Sequence, residues 1–330
     1  GKPLTVDHNG PSGVTQKYSV GENGYAVQTN DPQKDIKGTC YPCNGIIAAT
    51  FNDELIREVG ELIGEDAMWA GYAGLYGTGL NIHRSPYAGR VFEYYSEDGF
   101  LSGMMSAYEV AAIQEKGVHV VMKHFALNDC EQDRIGLGVW INEQAAREVY
   151  LKAFQAPIEV GNGNGVMIAY TRWGAVWSGG NAGLVNGILR GEWGCDGMVI
   201  TDNVLNVYVN GPDGVLAGVS IYDAMMPYVT DKLPEYKNDG VIVSAMREAC
   251  HHNLYAIANS CGMNGVGANT TIKLTRPTVI TMVIIITCAA AFFCLLGIVL
   301  WIFGVRKLRK SEEYKAYKGF LKDQKAAKKA

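Results

Sequence analysis

With 330 residues, 48% of them apolar and 40 of them glycine, the chain has the length of one large domain or two ordinary ones and a composition that fits a core with many tight turns. The net charge of −4 is unevenly spread: Arg306–Ala330 carries ten Lys/Arg against three Asp/Glu, which leaves 19 against 30 in the first 305 residues. So acidic a body argues against nucleic acid as its partner.

The first residues, "GKPLTVDHNGPSG", lack both an initiating Met and a charged-then-apolar leader, and they read as an internal strand and turn. A mature form or a fragment with its upstream part missing is expected. Of the eight cysteines, Cys40 and Cys43 form a CxxC with Pro42 inside it. No second CxxC or His pair completes a zinc set, so structural thiols, or one disulfide in an oxidising compartment, are the expectation.

Downstream, one rhythm recurs: a short apolar strand, a polar loop, an amphipathic helix. "GLYGTGLNI" precedes "GFLSGMMSAYEVAAIQEKG", "VHVVMKHFAL" precedes "NEQAAREVYLKAFQAPIEVG", and "GVMIAY" precedes "NAGLVNGILRGEWG". "GMVITD" and "DGVLAGVSI" continue as strands, the latter leading to a helix in "DGVIVSAMREACHHNLYAIANS". The strands are apolar almost throughout, as parallel strands buried on both faces are. Five or more such units predict an α/β fold, a (β/α)8 TIM-type barrel, irregular or incomplete in its regular elements, rather than an open doubly wound sheet. "GNGNGV" at 161–166 resembles a nucleotide loop but follows a helix and enters a strand, the reverse of the required context. It reads as an αβ loop with a glycine helix stop.

"GMNGVGANTTIKLTRP" is a linker in composition, and Asn269 has the form of a glycosylation sequon. Val279–Val305 then runs 27 residues without a charge. As a helix it would be roughly 40 Å long, more than the ~30 Å hydrocarbon core, and it is followed by "RKLRK". Trp301 suits an interfacial anchor. The positive-inside rule makes this a single-pass segment in the cell membrane, with the tail cytoplasmic and the barrel extracellular. The expected organisation is a barrel domain over 1–261, a linker over 262–277, a transmembrane helix over 278–305 and a basic tail over 306–330.

Barrel enzymes keep their chemistry at the carboxyl ends of the strands. Those ends carry Asp7 and Asn9, Lys123 and His124, Tyr170 and Arg172, and Asp202, and the loop after "GLNI" carries His83, Arg84, Arg90 and Glu93. One anionic candidate amid cations and hydrogen-bond donors suits a polyhydroxylated substrate and a carboxylate nucleophile. The plainer alternatives are a helix cap for Asp202, a solvated loop start for Lys123-His124 and a mere salt bridge for Arg90 with Glu93.

The stretches "NIHRSPYAGRVFEYYSEDGFLSG", "KHFALND", "REVYLKAF" and "LRGEWGCDGMVITDN" resemble, in order and spacing, the barrel domain of glycoside hydrolase family 3. The likeness runs from about Asn9 to Gly265, and the stretch leading to the membrane segment is similar to members with swapped domain order. The resemblance implies an exo-acting glycosidase of β-glucosidase type, with β-xylosidase type as the alternative, acting on an oligosaccharide or β-glycoside. It implies Asp202 as nucleophile, and Asn9, Arg90, Lys123, His124 and Tyr170 as substrate-binding residues. Asn9 stands where many members have an Asp, and Asn203 where an aromatic residue often follows the nucleophile.

Retaining hydrolysis needs a second carboxyl group as acid/base. In most of the family it is a Glu on a companion α/β sandwich domain, and in the N-acetylglucosaminidase branch a His on the loop after K-H-F. Here that loop, "ALNDCEQDR", has no His; Asp129, Glu131 and Asp133 are its only acids. The acid/base is therefore expected from a companion domain upstream or in another chain. Lys123 and Arg90 are expected to hold the Asp202 pKa down. No metal or organic cofactor is implied. The competing reading is a catalytically silent barrel that binds carbohydrate or serves as a surface scaffold.

Overall fold

The computed structural model describes residues 5–7, 13, 14, 18–20, 26–28, 39–204, 208–223, 232–264 and 278–328. Two units, Gly1–Gly267 and Ala268–Ala330, separate by their internal contacts.

In the first unit the principal elements in chain order are β1 (Thr5–Asp7), the hairpin strands β2 (Tyr18–Val20) and β3 (Ala26–Gln28), α1 (Asn44–Ala48), α2 (Asp53–Trp69) and β4 (Gly74–Gly79). Next come α3 (Gly99–Glu115), β5 (His119–Phe125), β6 (Gly138–Val139), α4 (Glu143–Ala145), α5 (Lys152–Glu159), β7 (Gly165–Ile168), β8 (Arg172–Trp173) and β9 (Val176–Trp177). A π-helical stretch at Gly183–Glu192, β10 (Met198–Thr201), α6 (Gly211–Ala217) and α7 (Gly240–Ala258) follow. β1, β4, β5, β7 and β10 form one sheet in that order, each pair parallel. Among the described strands the winding does not reverse, whereas a doubly wound sheet changes direction at a switch point. Singly wound βα units are the arrangement of a TIM-type barrel, and all the strand carboxyl ends lie on one side.

The local causes are ordinary. Asn52 caps α2 by accepting from Leu55 N at 3.0 Å, and Asp53 and Glu54 place negative charge in its first turn. Asp98 caps α3 in the same way through Leu101 N. All seven residues of β5 and all four of β7 and of β10 are buried, which is why these strands read as unbroken apolar runs. Phe125 meets the rings of Phe154 and Trp193 edge-on at 5.2 and 6.0 Å, locking β5 to the helices outside it. Gly60 allows α2 and α3 to touch: a Cβ there would stand 2.7 Å from the Glu109 carbonyl.

Two expectations need correction. "DGVLAGVSI" is not a strand: Gly211–Ala217 is helical, stopped by Gly218 at φ 109°, and only Ile221 bridges to Ile200 of β10. Pro212 at the first turn and the left-handed glycine are helix signals that outweigh the apolar run. The helix expected across "NEQAAREVYLKAFQAPIEVG" is α4, a π-helical stretch at Ala146–Tyr150, and α5 with Pro157 inside it. The barrel strands are also accompanied by a small sheet of β6, β8 and β9 in the loops after β5 and β7. The eight cysteines, those of the CxxC included, are free thiols. Asn9 and Asn269 lie outside the described residues.

A buried polar chain runs beside β4. Asn44 Nδ2 donates to Thr78 Oγ1 at 2.9 Å, Thr78 Oγ1 meets Tyr95 Oη at 2.7 Å, and Tyr95 donates to Glu109 Oε2 at 2.5 Å. Burial pushes the Glu109 carboxyl up from 4.5 to about 7, the hydrogen bonds from Tyr95 and Thr78 opposing it. Between those values the folded chain holds a proton that the unfolded chain has released, so Glu109's contribution to stability falls as pH rises through the window, by roughly 3 kcal/mol. Glu109→Gln is expected to flatten that slope. Urea midpoints at about pH 4 and pH 8 should show the variant gaining on the parent at the higher pH.

In the second unit α8 spans Thr278–Lys310 and α9 spans Glu312–Ala327. Within Met282–Lys310 the most apolar 18-residue stretch has a mean hydropathy of 2.9, so α8 is long and apolar enough to cross a membrane.

Candidate active site

The ends of β5, β7 and β10, with the loops after β4 and β5, bring charged and polar side chains together. Arg90 and Glu93 face each other in a bidentate pair, with Nε to Oε1 and Nη2 to Oε2 both 2.7 Å. Lys123 Nζ lies 3.6 Å from Glu93 Oε2 and donates to the Tyr76 carbonyl at 3.2 Å. One buried carboxylate thus serves two cations. Burial by itself would raise the Glu93 carboxyl, but the Arg90 hydrogen bonds and the Lys123 and Arg90 charges hold it below its ordinary value.

Arg90 also reaches His124: Nη1 stands 2.9 Å from Nε2. Burial, with the charges of Arg90, Lys123 and Arg134, drives the His124 pKa well below its ordinary value, so the ring is neutral. A guanidinium only donates, so Nε2 accepts and the proton sits on Nδ1. The same Nε2 lies 3.6 Å from Asp202 Oδ2. Deprotonated, it donates nothing there, and the contact is not an ion pair.

Asp202 immediately follows β10 and is mostly buried. Its Oδ1 accepts from the Asn203 amide at 2.7 Å, while Oδ2 is buried and makes no hydrogen bond among the described residues. The carboxylate caps no described helix; the next one, α6, begins at Gly211 with Asn210 as its N-cap. Burial raises the Asp202 pKa, against the Asn203 amide and the charges of Arg134, Arg90 and Lys123. The expectation of a depressed value is therefore wrong in sign. The cations are present, but they only partly offset what desolvation costs the charged form.

Tyr170 follows β7 and is turned by its hydroxyl, which donates to the Asn203 carbonyl at 2.7 Å. The nearby Asp202 carboxylate adds to the burial that makes this phenol harder to ionise. Arg134, on the loop after β5, sits 4.6 Å over the Tyr170 ring. Arg134 lies in a polar loop outside any periodic element, so nothing in its linear setting distinguishes it from its neighbours.

The backbone supports this placement. Asn81 donates to the His124 carbonyl at 3.0 Å and accepts from the His124 amide at 2.9 Å, so one side chain holds both ends of that residue. At Gly79 a Cβ would stand 2.7 Å from the Glu93 carbonyl, and the missing side chain is what lets the Arg90–Glu93 loop close over β4. His83 holds the loop itself, its Nε2 facing the Val91 and Tyr94 carbonyls at 2.8 and 3.0 Å.

Arg90, Lys123, His124, Tyr170 and Asp202 are thus brought together, joined by Glu93 and Arg134. Arg172 is spent on the Ala175 carbonyl at 3.1 Å. Two of the three acids after β5 have structural partners. Asp129 accepts from the Ile82 amide at 2.7 Å, with burial pushing its pKa up to about 6. Glu131 accepts from Asn128 at 3.0 Å and pairs with Arg134 at 3.0 Å. Asp133 occupies a left-handed turn at φ 51°.

Residues 31–214 match the glycosyl hydrolase family 3 N-terminal domain. A probable beta-glucosidase I of Aspergillus flavus is 37% identical over 188 residues, 57% of this chain and 22% of that protein. An exo-alpha-(1->6)-L-arabinopyranosidase of Bifidobacterium longum is 32% identical over 265 residues, 78% of this chain and 33% of that protein. The solved beta-glucosidase 3B of Thermotoga neapolitana, in complex with alpha-D-glucose, aligns at a TM-score of 0.70 and 28% identity over 78% of this chain and 36% of its own. The chain spans about a fifth to a third of the length of these curated relatives. The fold is the TIM-like α/β barrel of that domain, seen here as five parallel strands and a bridge among the described residues. With the match covering more than half its length, the chain belongs to glycosyl hydrolase family 3.

Proposed function

We propose that this chain hydrolyses O-glycosidic bonds as a retaining, exo-acting enzyme of β-glucosidase type, with Asp202 as the nucleophile. The observation that carries the reading is Asp202 Oδ2: a buried carboxylate oxygen at a barrel strand end, without a hydrogen bond among the described residues, with Arg90, Lys123, His124 and Tyr170 near it. A structural carboxylate buried this deeply normally has its oxygens bonded. Oδ2 attacks the anomeric carbon, the glycosidic C–O bond breaks, and the leaving oxygen takes a proton from the acid/base. Water then attacks the same carbon, gives its proton to that base and frees Asp202. Arg90, Lys123 and neutral His124 bind sugar hydroxyls, and Tyr170 frames the ring.

The proton donor comes from a companion domain outside this chain. Supporting this, Asp129 and Glu131 are committed to holding their own loop. The arabinopyranosidase relative makes a pentopyranose the second sugar to test. α8 anchors the enzyme in a membrane, with the basic tail cytoplasmic and the barrel outside.

An aryl 2-deoxy-2-fluoroglucoside with a dinitrophenolate leaving group tests the nucleophile without needing the acid. It is expected to release one equivalent of dinitrophenolate and leave the fluorosugar on the peptide containing Asp202, read by mass spectrometry. A label on another carboxylate, or none with either the glucoside or the arabinopyranoside, would overturn the assignment.

A further inference from the structure

The charge-free stretch of α8 ends at Val305, and Arg306, Lys307, Arg309 and Lys310 follow within its last turns. If α8 spans a bilayer, as proposed above, these residues mark the headgroup level. The helix is then broken by one residue. Ser311 is extended, at φ −67° and ψ 146°, and its hydroxyl accepts from the Tyr314 amide. α9 therefore starts afresh at the membrane surface rather than prolonging the span.

Its sequence is sorted by face. At 3.6 residues per turn, Lys315, Lys318, Lys322 and Lys325 fall within an arc of about 80°. Tyr314, Tyr317, Phe320 and Leu321 fill the neighbouring arc of about 120°. Glu312 and Asp323 flank the lysine stripe on its far side, where Glu312 pairs with Lys315 at 2.8 Å, and Glu313 is the one acid within the aromatic arc. No residue of α9 is buried, and Tyr317 and Phe320 are each 58% exposed. At sixteen residues α9 is only just past the ~12–15-residue limit below which isolated helices are marginal in water, so packing its exposed aromatic face on a surface would add to its stability. With net +7 over Arg306–Ala330, the complementary surface is an anionic one.

We propose that α9 is a lipid-surface helix that lies on anionic phospholipid, its aromatic face in the interface and its lysine stripe on the headgroup charges. The geometry is that of an interfacial amphipathic helix, held by apolar burial and Coulomb attraction together.

The full chain is reconstituted into phosphatidylcholine vesicles with and without phosphatidylserine, and amide hydrogen exchange is followed over Tyr314–Ala327. Phosphatidylserine is expected to slow exchange at least about tenfold at low salt, an effect that vanishes near 1 M salt. Replacing Lys318, Lys322 and Lys325 together by Gln is expected to remove most of the slowing. Equal rates in the two vesicles, or slowing undiminished in the triple variant, would overturn the proposal. Flotation with pure phosphatidylcholine vesicles in high salt reads α8 separately; a chain that does not float overturns the span and, with it, this placement of α9.

Discussion

Asp202→Ala is expected to abolish dinitrophenolate release from an activated aryl glycoside, lowering kcat/KM by at least about 10³-fold, or ~4 kcal/mol of transition-state stabilisation. On the proposed mechanism the loss is large because Oδ2 would form the new bond, and among the described residues of the cluster the other carboxylate, Glu93, is held by Arg90 and Lys123. Parent activity should also fall on the acid side above the ordinary carboxyl value of 3.8, since burial raises the Asp202 pKa and only the ionised form attacks. Arg134 is the first of the charges opposing that rise. Arg134→Gln is therefore expected to move the acid limb of the pH–rate profile upward. An unmoved limb would mean that the observed titration belongs to another group.

Glu93→Gln is expected to cost about 3–5 kcal/mol of stability, the range for breaking a buried ion pair by removing one partner. Glu93 is the shared counter-ion of Arg90 and Lys123, its side chain 5% exposed, and the neutral amide leaves two cations facing each other across the site. The urea midpoint should fall with the m-value unchanged. The exposed Arg57–Glu115 pair is the control: with side chains 40% and 56% exposed, Glu115→Gln should cost under ~1 kcal/mol. The two cations released from Glu93 also act on Asp202. Its ionised form gains, and the acid limb should move down, opposite to Arg134→Gln. A variant of undiminished stability would show that the Arg90–Glu93 loop is held by backbone contacts such as the close approach at Gly79.

The strands were legible because burial on both faces leaves a continuous apolar run, and β4, β5, β7 and β10 fall on the runs that predict them. "DGVLAGVSI" misled for the same reason: an apolar run looks alike in a buried strand and in a buried helix turn, and Pro212 with Gly218 decide between them. The membrane-length helix, the strand-end candidates Lys123, His124, Tyr170 and Asp202, and the long motifs carrying the family resemblance are local facts, written in consecutive residues. The sequence by itself determined these, since each depends on residue type and near spacing alone. Only the tertiary structure decided that Glu93 holds both Arg90 and Lys123, that Arg134 reaches over Tyr170, and that His124 is neutral. It also reversed the expected sign at Asp202. A linear reading counts the cations around that carboxylate, but the cost of removing it from water depends on how completely the folded chain encloses it.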